Sequence, residues 1–244
     1  MEVRAIKTAK VTGKCDIITF TLMHVKDVLK NFHFDSFPEQ SILVISGKIL
    51  AIAQGRVVSI DQEGTYRGQT LEKIVKKEAD TILTEKKGMF MTIKDGICIP
   101  NAGIDLSNAP EGTAVLWPDN PWKWAVQIRK EIAKKWKVKN FGVVIADSRI
   151  TTLRKGTTGV ALAWEGFKGV EDLRGTVDLF GRKMRVTHVA TADNLVSAAL
   201  LVMGESNACT PLALITEAPV QWTNEKTNPR AGIMAKKDDL FSSF

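Results

Sequence analysis

Residues 141–147 read Phe141-Gly-Val-Val-Ile-Ala-Asp147, and residues 41–46 read Ser41-Ile-Leu-Val-Ile-Ser46. Both are short, continuous apolar runs with no polar alternation. That pattern belongs to strands covered on both faces, in the middle of a sheet with helices on either side. One run leaves at an acid, Asp147, and the other at Ser46-Gly47-Lys48. Together they predict an α+β chain of mixed α/β character centred on these two segments.

Helices and further strands are legible on either side. Asn120 to Lys137 has amphipathic helical spacing, with Asp119 or Asn120 as N-cap and Pro121 in the first turn. Ala192 to Met203 reads as an alanine-rich helix, Leu212-Ala-Leu-Ile215 as a last strand, and Met184 to Val189 as another strand. Val3 to Ile6 and Ile17 to Phe20 read as short strands, and Thr21 to Lys30 as a helix. Thr70 to Lys86 predicts one helix, with Leu71, Ile74, Val75, Ala79 and Ile82 on a common side. Gly88 to Thr92 and Gly96 to Pro100 predict a strand–turn–strand about Lys94-Asp95-Gly96. No repeat and no polar linker divides the chain. The expected organisation is a single domain over 1–244, readable also as two interlocked subdomains, with a tail over 220–244.

Bulk properties narrow the function classes. The 244 residues are 44% hydrophobic, which is ample for a core. No apolar run approaches the roughly 20 residues that span a bilayer. Met1 to Lys14 is charged and lacks a signal-peptide core. A cytoplasmic protein with no membrane partner is expected. The net charge of +7 favours anionic ligands, such as a nucleotide or a polyglutamate tail. The lysines are scattered in pairs rather than massed in a block, so nucleic acid is not expected as a partner. Cys15, Cys98 and Cys209 are odd in number and widely spaced. They form no disulfide framework or zinc pattern and read as buried or idle thiols. His24, His33 and His188 read as structural or surface residues, and Trp117, Trp122, Trp124 and Trp164 as core or interface residues rather than a stacking platform.

Five segments carry possible chemistry. Asn101-Ala-Gly-Ile-Asp105-Leu-Ser-Asn108 offers a hard oxygen donor and an amide among small residues; it reads equally as a turn whose Asp and Asn bond their own backbone. Asp147-Ser148 stands at a strand exit, where ligand groups gather in α/β sheets, and suits magnesium or manganese; a strand-end cap is the plainer alternative. Arg149, Arg154, Lys155 and Gly156-Thr-Thr-Gly159 follow within a few residues and suit phosphate or carboxylate. Met203-Gly204-Glu205-Ser206-Asn207 is a polar loop closing a helix, in which Glu205 adds a carboxylate. Ser46-Gly47-Lys48 lacks P-loop spacing yet can hold phosphate oxygens. No Ser–His or Cys–His arrangement is visible for covalent catalysis. Carboxylates, cations and glycines favour metal-assisted phosphoryl transfer.

In this order, Asn101 to Asn108, Val144-Ile-Ala-Asp147-Ser148, Arg154-Lys-Gly156 with Gly159, Asp178-Leu-Phe-Gly-Arg182 and Leu201-Val-Met-Gly-Glu205 resemble the coenzyme F420-0:γ-glutamyl ligase family over roughly Ser41 to Ile215. Asp147-Ser-Arg-Ile-Thr-Thr-Leu-Arg-Lys-Gly156, Val115-Leu-Trp-Pro118 and Thr210-Pro-Leu-Ala-Leu-Ile215 are more similar to the branch described as folate γ-glutamate ligases. The resemblance implies that family's fold, an intertwined homodimer, and ligation of L-glutamate to a folate-type acceptor, driven by GTP or ATP. A deazaflavin acceptor is the alternative, and a non-catalytic nucleotide- or polyanion-binding protein is a reading of another class. It also implies that Asp105 and Asp147 hold one Mg²⁺ or Mn²⁺ and that Ser148 and Glu205 contribute to a second, with K⁺ as a further cation. Asn108, the Ser46-Gly47-Lys48 turn and the loop bearing Gly204, Ser206 and Asn207 would contact the nucleotide. Arg154 and Lys155 would stabilise the transferred phosphoryl group. Two positions depart from the family pattern, Ile52 and Thr151, each where a cation is expected; Arg149 is the candidate replacement for the second.

Overall fold

The computed structural model describes residues 1–60 and 67–241. In chain order the elements are β1 (Glu2–Ile6), α1 (Ile17–Asn31), β2 (Ser41–Ser46), α2 (Gly47–Gln54), β3 (Val57–Ser59), α3 (Arg67–Glu78), β4 (Thr81–Lys86), β5 (Met89–Lys94), β6 (Ile97–Pro100), β7 (Thr113–Val115), α4 (Pro121–Trp136), β8 (Phe141–Ile150), β9 (Thr157–Glu165), β10 (Glu171–Asp172), β11 (His188–Val189), α5 (Thr191–Met203) and β12 (Leu212–Thr216). Among the described residues no helix is long and apolar enough to cross a membrane.

The central sheet has the order β1-β12-β2-β8-β9. Its middle pair, β2 and β8, is parallel and runs from Ser41 beside Phe141 to Ser46 beside Ala146. The other pairs are antiparallel. Alternate side chains of the two runs enter two separate cores. Leu43, Ile45, Val143 and Ile145 meet α1 and α4 through Val25, Val28, Ile128 and Ile132. Ile42, Val44, Val144 and Ala146 meet α5 through Leu195, Val196 and Ala199. Each buried Val, Leu or Ile contributes roughly 1.5–3 kcal/mol, so covering both faces makes this pair the centre of stability. The mixed α/β expectation is met.

A second layer carries the antiparallel sheet β4-β5-β6 and the pair β3-β7. Leu71 and Val75 of α3 pack there on Phe90, Ile104, Ala114 and Leu116. This layer delivers residues 101–108 to the main sheet. Asp105 is bonded both ways to Val115, with N–O distances of 2.9 Å, and Val115 packs on Ala51 and Ile52 of α2.

Several expectations are corrected. Ile17 to Phe20 opens α1 instead of forming a strand. Asp16 caps it, accepting from the N–H groups of Ile18 and Thr19 at 3.0 and 3.3 Å; the β-branched run hides this cap signal. The helix expected to reach Lys86 stops at Glu78, whose carbonyl accepts from Lys94 Nζ at 2.6 Å. Asp80 then accepts the Asp95 N–H at 2.6 Å, and the chain continues as β4 against β5. Of Met184 to Val189, only His188–Val189 is strand, beside Glu171–Asp172. All three cysteines are exposed rather than buried. For Cys98 the cause is strand alternation, since Ile99 takes the inward place on β6.

Close packing of α5 on β9 depends on Gly159. A Cβ there would lie 2.7 Å from the Val196 carbonyl carbon and clash with the Ser197 N–H. Ser197 Oγ also accepts the Gly159 N–H at 3.1 Å. Gly159→Ala is expected to cost about 2 kcal/mol or more. Gly13→Ala, where nothing lies within 4 Å, is the control. Urea unfolding of both variants measures the difference; equal midpoints would show that the contact is not tight.

Candidate active site

Parallel strands place their carboxyl ends at one edge of a sheet, and ligands bind there in α/β folds. Here the register sets Ser46 beside Ala146, so Ser46-Gly47-Lys48 turns into α2 next to Asp147-Ser148, where β8 runs on past the end of β2 paired with β9 alone. β12 enters at the same edge, and the Pro211 carbonyl accepts the Ser46 N–H at 2.9 Å. β1 leaves there too, with Ile6 opposite Leu212. These strand ends and the 105–108 segment enclose a cavity of about 340 Å³.

Asp105 reaches it from the second layer. Its Oδ1 accepts the Ser107 N–H and hydroxyl at 2.9 and 2.8 Å. Its Oδ2 is ion-paired with Lys48, whose Nζ also donates to the Ser107 carbonyl at 3.1 Å. Asn108, with φ of 50°, donates from Nδ2 to the Ser206 carbonyl at 2.7 Å and so ties two walls together. Ser148 Oγ donates to Glu205 Oε2 at 3.4 Å. Gly204 ends α5 at φ of 72°, its N–H bonded to the Leu200 carbonyl, and turns Glu205, Ser206 and Asn207 into the wall.

Asp147 is half-buried in the cavity wall. Burial pushes its carboxyl up from 3.8 to about 7, and the nearby Asp105 and Glu205 charges push the same way; the Ser148 N–H, at 2.8 Å, and Lys48 act against them. Among the described residues no three His, Cys, Asp or Glu side chains are gathered into a ready-made metal cage. The donors are nonetheless carboxylates, a hydroxyl and an amide oxygen in one cavity, the hard set that Mg²⁺ and Mn²⁺ take. Mg²⁺ is commonly held by one or two carboxylates with substrate phosphates supplying the rest.

Ser46, Lys48, Asp105, Asn108, Asp147 and Ser148 thus line the cavity, as do Gly204, Glu205, Ser206 and Asn207. Gly47 is not among the lining residues: a Cβ on it would lie 2.9 Å from Leu162 Cδ1 and 3.2 Å from the Ala146 carbonyl, so the glycine lets α2 start against β8. The three arginine and lysine candidates are not brought here. β8 continues three residues past Asp147, and Arg149 pairs with Asp193 of α5 at 3.1 Å. Arg154 and Lys155 lie exposed in the turn between β8 and β9. Ile52 lines the cavity, whereas Thr151 does not. A wall that carried no motif is Thr8 to Val11, with Cys209 and Thr210 beside it; only the order of strands at the sheet edge reveals it. Trp117 and Trp164 are core residues, the first donating from Nε1 to Asp95 at 2.9 Å and the second edge-on to Trp122.

The model of the F420-0:γ-glutamyl ligase family matches residues 5–217, which include every residue lining the cavity. The chain belongs to that family. Among its relatives is the coenzyme F420:L-glutamate ligase of Methanocaldococcus jannaschii, 34% identical over 212 residues, with 82% of this chain and 84% of that one covered. The ligase of the same name from Methanopyrus kandleri is 31% identical, over 72% of this chain and 74% of its own. That of Methanococcus maripaludis strain C7 is 38% identical, over 71% and 68%. These F420 ligase relatives are named for the deazaflavin coenzyme and not for folate. They reverse the order of the two acceptor readings drawn from the sequence: the folate-type assignment yields first place to its alternative.

The Asp147 shift has a testable sign. Its folded carboxyl is raised, so the stability it contributes is complete below about pH 4 and is lost as pH rises through about 7. A full shift of about 3 units would correspond to about 4 kcal/mol, and water in the cavity reduces this to roughly 1–3 kcal/mol. In EDTA, Asp147→Asn should therefore gain on the wild type in urea unfolding between pH 5 and pH 8. A gap that stays constant across that range would remove the burial explanation.

Proposed function

We propose that this chain joins L-glutamate to the terminal carboxylate of a deazaflavin coenzyme precursor of the F420-0 type, driven by GTP or ATP. The observation that carries this reading is the convergence of Asp105, Asp147 and Glu205, from three separate segments, with Lys48 at the start of α2, in a protein of this ligase family.

Making an amide from a carboxylate requires that one oxygen become a leaving group. In this reading an acceptor oxygen attacks the γ-phosphorus, the bond to the β-phosphate oxygen breaks, and nucleoside diphosphate departs. The glutamate amine then attacks the acyl carbon, phosphate leaves with the former carboxylate oxygen, and the amine gives up a proton. Both partners in the first step are anions, and the cavity adds three carboxylates of its own. Divalent cations, held by Asp105 and Asp147 with a second supported by Ser148 and Glu205, supply the neutralising charge when bound. K⁺ belongs to the same reading as a further counter-charge. Lys48 and the backbone N–H groups opening α2 receive phosphate oxygens, while Asn108, Ser206 and Asn207 hold polar groups of the nucleotide. The charge role expected of Arg154 and Lys155 falls here to Lys48, because those two side chains lie outside the cavity. A homodimer belongs to the same reading and would cover Leu179, Phe180 and Val186, which stand exposed on the arm between β10 and β11.

The test is a mass-spectrometric ligation assay with glutamate, Mg²⁺ or Mn²⁺, and GTP or ATP. A one-glutamate mass gain on a deazaflavin acceptor is expected, with loss of at least about a hundredfold in Asp147→Asn protein that remains folded. Gain on a reduced folate alone would return the acceptor to the folate class. No gain on either, with nucleotide still bound, would favour the non-catalytic reading.

A further inference from the structure

Among the described residues, the cations lining the cavity are Lys48 and Lys10. They differ in what they are free to do. Lys48 is held by Asp105 and the Ser107 carbonyl. Lys10 is exposed within the wall and makes no ion pair or hydrogen bond to a described residue.

The backbone on either side of Lys10 is fixed. The Thr8 N–H donates to the Cys209 carbonyl at 3.1 Å. The Ala9 N–H donates to His24 Nε2 at 3.1 Å. His24 is itself buried in α1, its Nδ1 2.9 Å from the Phe20 carbonyl. Because Nε2 accepts, Nδ1 carries the hydrogen and donates, so both ring nitrogens are committed. On the other side, Val11 packs with Ile52 and Val115, and the Cys15 N–H donates to the Ala53 carbonyl at 3.2 Å. Lys10 therefore stands on a backbone already ordered, with a side chain that has spent none of its donors. Fixing the main chain beforehand lowers the entropic cost of recruiting such a side chain to a ligand.

We propose that Lys10 is a substrate-binding residue whose ammonium holds an anionic oxygen, of a phosphate or a carboxylate, belonging to the ligand in this cavity. The inference rests on the ligase reading of the same cavity. The surrounding charge supports it: Asp105, Asp147 and Glu205 repel every anionic substrate, and the one lysine already engaged cannot offset all three. An ammonium on the facing segment adds attraction without competing for those carboxylates.

The experiment is steady-state ligation by wild type, Lys10→Gln and Lys10→Arg, varying nucleotide, acceptor and glutamate in turn, with calorimetric binding of Mg·GDP and of glutamate alongside. Lys10→Gln is expected to raise one KM about tenfold to fiftyfold with kcat within about threefold, and Lys10→Arg to restore most of it. A rise confined to nucleotide assigns the ammonium to phosphate; a rise in acceptor or glutamate assigns it to a carboxylate. Lys10 is exposed, so an unchanged melting temperature separates this effect from a structural one. If every KM stays within about twofold of wild type in folded Lys10→Gln, the inference is overturned and the ligase reading stands. If wild type ligates nothing, the ligase reading fails, and Lys10 is judged on binding alone: weaker Mg·GDP or glutamate binding in Lys10→Gln supports it, and equal or absent binding overturns it.

Discussion

The parallel pairing of β2 with β8 is the constraint on which the molecule depends. Polarity alone does not hold its register, because both faces of both strands are apolar and a slip would exchange one buried face for another. Size does. Gly142 leaves room for Phe167, which a Cβ would meet at 2.6 Å, and Gly47 leaves room for Leu162. The α5 face is lined with alanines, among them Ala146, Ala161 and Ala213, while the α1–α4 face takes the larger Leu43, Ile45 and Ile145. A shifted β2 would turn Leu43 and Ile45 toward the alanine-lined α5 face and leave the smaller Val44 on the α1–α4 face. The same register puts Ser46 and Asp147 at one edge, so the packing that stabilises the sheet also places the site.

Much of this was legible, for reasons particular to each segment. Continuous apolar runs at 41–46 and 141–147 can only be satisfied between two layers, and Asn120-Pro121 marks a helix start by its chemistry; Asn120 Oδ1 does accept the Lys123 N–H at 3.1 Å. The two acids, Asp105 and Asp147, announced themselves by standing next to small residues or at a strand exit. Local pattern failed where a tertiary contact decides. Ile17 to Phe20 looks like strand because β-branching outweighs a single Asp16 when only neighbours are read. The end of α3 is set by Lys94 and Asp95, residues of a hairpin that helical spacing cannot foresee. Arg149 sits two residues from Asp147 in sequence, yet its guanidinium pairs with Asp193 of α5 at 3.1 Å, a tertiary partner that spacing along β8 does not reveal. The acceptor is of the same kind: a few residues in the 147–156 stretch suggested folate, while likeness over most of the chain points to the deazaflavin ligases.

Charge distinguishes this cavity from the rest of a basic protein. Three acids face inward and one lysine is bound to one of them, so the cavity is acidic inside a chain of net charge +7. Asp147 is the sharpest expression of that imbalance, because the fold gives it one backbone N–H and little else with which to remain ionised. Such a site gains from cations and from substrates that arrive with them, whereas a bare anion would meet repulsion. The basic exterior and acidic cavity act on different scales: the first draws anions toward the protein, the second governs in what company they bind.

The cavity also has a history within each molecule. Cys209 and Thr8 are bonded side by side in its wall although they are separated by 201 positions in the chain. Closing so long a loop is entropically slow, and contacts of this range form late. The Thr8 to Val11 segment is translated well before the Gly204 to Pro211 segment that it joins. That part of the cavity wall therefore cannot be completed until segments 201 positions apart have met.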